Sequence, residues 1–227
     1  MRILLSYLIL IVITGVAYGQ QTILLERSRA YILTGSSASN REINQPKEAK
    51  GSPYLQPDYV YAFVDDINKP FKMRYNAYTD EMEFDNDGVT YDLDKAQYKV
   101  VNFNDLNKKY IIANYNDGNA DYFGYLVELA SGTGYSLYKR EKIEYLEGKK
   151  SETGFGIDSS PEFRIKKETF FMKMKSGEVI PVPNSKGKMS ELFEEKTSLV
   201  KAFIKKNKTS LTDENDLKIL FQFLNSM

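Results

Sequence analysis

A chain of 227 residues, 42 % hydrophobic and 27 % charged, has enough apolar mass for one good-sized globular domain or one domain with a small appendage. Its 31 basic and 31 acidic residues cancel, which argues against a nucleic-acid partner, for which a basic footprint would be required. Cysteine and histidine are both absent, which removes disulfides, thiol catalysis, a lipoprotein's acylated cysteine, most hydrolase triads and nearly all transition-metal enzymes; no cofactor is implied.

Residues 1–19 read as a signal peptide. Arg2 is the positive n-region, and Ile3 to Ile13 is apolar apart from Ser6 and Tyr7. That run is shorter than the roughly 20 residues a spanning helix needs. Ala17-Tyr18-Gly19 places small residues at −3 and −1, so cleavage is expected after Gly19, an uncleaved anchor being the weaker reading. Loss of Arg2 then leaves 30 − 31 = −1. No second apolar run approaches spanning length. The expectation is an exported protein, periplasmic or else secreted, that is not integral to the membrane after cleavage.

Residues 20–53 form an N-terminal segment and flexible linker. Thr22–Leu33 suits a strand or a short helix. Gly35–Pro53 is polar, with too little to bury to offset its ordering entropy.

Residues 54–183 read as an antiparallel β-domain. Tyr59–Val64 is followed by Asp65-Asp66 and Pro70. Phe71, Met73, Tyr75 and Ala77 then alternate with polar residues, the period-two signature of a half-buried strand. Met82 and Phe84 share one face, with Glu81 and Glu83 on the other. Asp87-Gly88 is a tight-turn dipeptide before Val89, Tyr91 and Leu93. Further strands are expected at Tyr98–Phe103, Lys109–Tyr115, Tyr122–Leu129, Tyr135–Leu146, Phe163–Ile165, Phe170–Met174 and Glu178–Val182, with Gly148–Pro161 as a loop. Strands at such regular spacing indicate a meander.

Residues 188–227 change period. Met189, Leu192, Phe193, Leu199, Val200, Phe203 and Ile204 form one stripe, with Ser190 as the expected N-cap. Thr212 and Asp213-Glu214 open a second helix with Leu217, Leu220, Phe221 and Leu224 inward. The fold class is therefore α+β, mainly β: an antiparallel β-meander or rolled sheet with a C-terminal helical hairpin packed on it.

No motif carries recognisable catalysis. Glu83 to Asp94 imitates the spacing of a calcium loop, but Glu opens it, Asp closes it and strands flank it, so a hairpin turn is preferred. Acid pairs Asp65/Asp66, Asp80/Glu81 and Asp92/Asp94 raise the possibility of a glycosidase, against a reading as solvent-facing acids. Ser131, Ser136 and Ser159 lack spacing that supports a Ser/Lys dyad. The Gly132/Gly134 and Gly154/Gly156 pairs read as turns and not phosphate loops. Tyr75, Tyr78, Tyr91, Tyr110, Tyr122 and Tyr125, with Tyr135 and Tyr138, could line a face that stacks on a glycan or a partner's aromatics.

The segments GSPYL (Gly51–Leu55), FKMRYNAYTDEMEF (Phe71–Phe84), YSLYKREKIEYLEGK (Tyr135–Lys149) and VKAFIKKNKTSLTDENDL (Val200–Leu217) resemble a family of secreted proteins of unknown function in Bacteroidetes-type Gram-negative bacteria. The resemblance spans Gly51 to the end and implies a periplasmic address without an activity. The expected role is a non-enzymatic binding protein of the periplasm or envelope, its partner an envelope protein or glycan. The alternatives are a carboxylate-dependent glycan-active enzyme and a carrier of a small apolar ligand.

Overall fold

The computed structural model describes Leu33, Ser36, Ala38, residues 49–149 and residues 159–227. The expected signal peptide, most of the N-terminal segment and the middle of the Gly148–Pro161 loop, Gly154/Gly156 included, lie outside these described residues.

Twelve strands are described: β1 (Val60–Val64), β2 (Phe71–Asn76), β3 (Glu81–Asn86), β4 (Val89–Asp92), β5 (Val100–Phe103), β6 (Lys108–Asn116), β7 (Asp121–Ala130), β8 (Ser136–Arg140), β9 (Ile143–Leu146), β10 (Glu162–Ile165), β11 (Thr169–Lys173) and β12 (Val179–Pro181). Ten make one antiparallel sheet, in the order β12-β11-β8-β7-β6-β5-β1-β2-β3-β4, and β9 pairs with β10 apart from it. The sheet does not close into a barrel.

β6 and β7 are nine and ten residues long, longer than their neighbours. β5 covers only Lys108–Ile111 of β6. The remaining length of β6 is free to serve a second curl of the sheet. β7 is buried on both sides there: Tyr125 and Val127 enter one core, and Leu126 between them enters another. Because successive side chains point to opposite faces, the sheet must roll over each face of this pair. The first roll encloses Ala62, Val64, Met73, Met82, Phe84, Val101 and Phe103 with Tyr110, Tyr125 and Val127. The second, made by β6-β7-β8-β11-β12, encloses Tyr115, Leu126, Tyr138, Phe171 and Val179.

The C-terminal helices lie against the opposite face of β8 and β11, where Leu137, Phe170 and Met172 meet Leu217, Leu220, Phe221 and Leu224. They are α1 (Lys186–Glu191), α2 (Thr197–Lys206) and α3 (Glu214–Ser226), with a 3₁₀ turn at Glu194–Lys196. The expected first helix is thus two pieces, interrupted where Glu194 adopts φ +41°. Ser190 is no N-cap: it is buried, and its hydroxyl donates back to the Lys186 carbonyl at 2.8 Å. The cap of the last helix is Asp213, whose Oδ1 accepts the Asp216 N–H at 2.9 Å. Phe203 and Phe223 stack at 4.0 Å across α2 and α3.

One further expectation is corrected. Tyr135–Leu146 is not one strand, because the chain turns at Glu141-Lys142 and β9 leaves the main sheet. Glu141 points inward there, accepting from Tyr110 Oη and Lys108 Nζ, each at 2.6 Å. The described residues of the segment up to residue 53 also bond the sheet. Ala38 N–H donates to Thr90 O and Asp92 N–H to Ser36 O, covering the outer edge of β4, and Ala77 N–H donates to Pro53 O. A strand edge bonds main chain, so a polar sequence with little to bury still finds a place there.

Candidate binding cleft

The six tyrosines expected to form an interaction face do not share one. Tyr75, Tyr110 and Tyr125 are 6 %, 4 % and 1 % exposed and fill the first roll. Tyr78 and Tyr91 are half-buried, Tyr78 edge-on to Phe163 at 5.2 Å and Tyr91 stacked on Phe84 at 5.4 Å. Tyr122 alone of the six is exposed, at 39 %. Of the two remaining candidates, Tyr138 is buried in the second roll and Tyr135 packs edge-on to Phe193 at 5.2 Å. The correction has a physical cause. A tyrosine ring buries readily once its hydroxyl finds an acceptor, and carboxylates provide one for Tyr75 and Tyr110, while the buried Tyr125 hydroxyl has no partner among the described residues.

Tyr75 Oη donates to Asp80 Oδ1 at 2.7 Å, as Tyr110 Oη does to Glu141. Burial, reinforced by these neighbouring carboxylates, pushes both phenols well above their usual value. Asp80 turns the chain between β2 and β3 at φ +60° and also accepts the Tyr125 N–H at 3.2 Å and Lys95 Nζ at 3.2 Å. This approach requires Gly124, since a Cβ there would lie 2.3 Å from Asp80 Oδ2.

Glu83, on the face opposite Met82 and Phe84, is 1 % exposed. It is held by Arg74 Nε at 2.7 Å, Asn76 Nδ2 at 3.0 Å and Tyr54 Oη at 3.0 Å. The Arg74 guanidinium lies between the Tyr54 and Tyr59 rings, 4.0 and 4.3 Å from their centres. Asp87-Gly88 is the β3–β4 turn, at φ +54° and +83°, with the Gly88 N–H donated to Asp85 Oδ1. Among the described residues no group of three or more acidic side chains is placed to hold a metal ion.

The acid pairs hold structure as well. Asp65 accepts the Lys99 and Val100 N–H groups, Lys95 joins Asp80 to Glu81, and Asp94 accepts the Ala96 N–H. None of the six acids lines either described cavity. The more enclosed cavity, beside Arg74, Tyr75, Phe103 and Lys108, measures about 20 Å³ and has room for about one water.

The larger cavity is an open cleft of about 530 Å³ between β6 and β12. Asn114, Tyr115 and Asn116 form one wall, Glu178 to Pro181 the other, and Gly118, Asp121 and Gly177 the mouth. Cα atoms of the two strands approach within 8 Å, yet the strands are not paired. Tyr115 stacks on Tyr122 at 5.3 Å and meets Phe171 edge-on at 4.7 Å. The Arg140 guanidinium lies 5.1 Å from the Tyr122 ring and bonds Asp117 at 3.0 Å. The cleft therefore offers polar side chains, strand edges and an aromatic shoulder.

Tyr122 stands beside the cleft without lining it, and sequence reasoning does not single out Asn114, Asp121 or Glu178. Their role depends on which edge of β6 lacks a neighbour, and pairing between distant strands leaves no local signature. Among the described residues, no helix is long and apolar enough to cross a membrane. Comparisons of the chain with protein-family models, curated proteins and solved structures give no match.

Proposed function

We propose that this protein is a non-enzymatic binding module of the cell envelope, exported to the periplasm, which holds its partner in the cleft between β6 and β12. The observation that carries this reading is the pair of strand edges that face each other across the cleft without pairing. Edges that no described strand pairs with are sites for another chain. The carboxylate-dependent enzyme loses support because Asp65, Asp80, Glu81 and Asp94 are engaged in turns and ion pairs and none of the candidate acid pairs lines a described cavity. An apolar carrier loses support because the three cores are filled with side chains and the enclosed cavity is water-sized.

The test is recovery of partners from envelope extracts with the tagged mature protein beside an Asn114→Arg/Glu178→Arg variant. Both positions are exposed, so the variant is expected to keep the wild-type circular dichroism. An envelope protein retained by the wild type and lost by the variant supports the cleft. Equal recovery by both would remove it as the working surface.

A further inference from the structure

Resting on the cleft reading, we infer that the occupant is an extended polypeptide segment bearing lysine or arginine, which enters between β6 and β12 as a sixth strand antiparallel to both.

Ladder parity identifies the open groups. The Ile112 N–H donates to Lys99 O, on the β5 side of β6. Backbone groups alternate sides along a strand, so those of Asn114 and Asn116 point the same way, beyond the end of β5. On β12, Glu178 O accepts from Met174 and the Val182 N–H donates to Phe170 O, both toward β11. Val179 and Pro181 therefore face the seam. Among the described residues no strand pairs with either edge there. Pro181 has no N–H, which blunts the β12 edge at one point. β6 supplies most of the donors.

Direction follows from topology. Four successive antiparallel pairings, β6-β7, β7-β8, β8-β11 and β11-β12, leave β12 running the same way as β6. One strand antiparallel to both would complete the alternation around the second roll. Adjacent strands sit about 4.8 Å apart, so an inserted one needs about 9.6 Å between its neighbours. The present approach within 8 Å means the seam widens on binding. Charge selects the side chains. Asp121 and Glu178 line the cleft and, among the described residues, no cationic residue does.

A random dodecapeptide display library is the probe, selected against the mature chain and counter-selected against Asn114→Pro. Proline deletes a seam-facing N–H that the β6–β7 ladder does not use, whereas Asn114→Ser keeps it. The expected binders are rich in Lys or Arg. Their affinity falls tenfold or more with Asn114→Pro or with N-methylation of alternate peptide residues, and stays within threefold with Asn114→Ser. The Asn114 and Val179 amides gain exchange protection in the complex. Should Asn114→Pro not fold, the N-methylated series decides alone.

Peptides indifferent to N-methylation, or an empty selection, overturn the strand. If the envelope partner is still lost by Asn114→Arg/Glu178→Arg, the cleft reading survives that failure; if not, both fall. Sensitivity to Asn114→Ser alone would point to side-chain recognition, as of a glycan. A wild-type dimer dispersed by Asn114→Pro would make the occupant a second copy. Either outcome overturns the proposal.

Discussion

The first roll and the second share β6 and β7 but are finished differently. In the first, buried carboxylates find partners inside: Glu83 takes Arg74, Asn76 and Tyr54, Glu141 takes Tyr110 and Lys108, and Asp80 takes Tyr75 and Lys95, while the Tyr98 and Tyr125 hydroxyls have no partner among the described residues. Main chain from the N-terminal segment covers its last strand. In the second, five apolar and aromatic side chains make the interior, and the last strand stops short of pairing with the first. Internal satisfaction fixes a structure, while an edge left open keeps capacity for something outside. Under the proposed function, the difference divides stability and recognition between the two rolls.

The severest test of that division is Glu83→Ala. It strands a partly buried guanidinium and leaves the Asn76 and Tyr54 donors without this acceptor, with an expected loss of about 3–5 kcal/mol in urea unfolding. A loss under about 1 kcal/mol would mean the first roll is not anchored there.

Gly124→Ala comes next, because its Cβ would press on Asp80. A cost of about 1–3 kcal/mol is expected, as for overpacking. Asp80→Ala combined with Gly124→Ala should then cost less than the sum of the two single changes in a double-mutant cycle.

Alkali sharpens the comparison by titration. Burial, with carboxylates nearby, raises Tyr75, Tyr110 and Tyr125 well above 10, and burial raises Tyr115 to about 12. A phenol whose folded pKa exceeds its unfolded value gives stability that is complete below pH 10 and lost as pH rises through the folded value. Unfolding should therefore set in above pH 10, with a late group of tyrosinates in absorbance at 295 nm. Simple ionisation of all 17 tyrosines near pH 10 would contradict these buried placements.

The smallest effect belongs to Tyr122→Ala, which removes an exposed ring and its stack on Tyr115. The expected cost is less than about 1.5 kcal/mol, the range of an aromatic pair. A larger loss in thermal unfolding would make the cleft's shoulder part of the scaffold.

The alternation at Phe71, Met73 and Tyr75 and the Asp87-Gly88 turn made the first hairpins legible, and the stripe Leu217, Leu220, Phe221, Leu224 did the same for α3. Glu83 was not legible. Alternation assigns faces, but only the placement of Arg74 and Tyr54 tells that the second face of β3 is also covered. The tyrosines misled for the same reason, since residue type cannot say whether a hydroxyl meets water or an aspartate. The cleft was least legible, because it is formed by strands more than sixty positions apart.

β7 has consequences beyond the cores it fills. With Tyr125 and Leu126 facing different interiors, neither half of the sheet keeps its wall if the other melts. Denaturation should proceed as one transition despite the two separate interiors. A truncation that ends the chain before β8 should yield no stable fragment, even though the whole first hairpin set precedes it. The long central strand thus makes one indivisible unit of two differently finished halves.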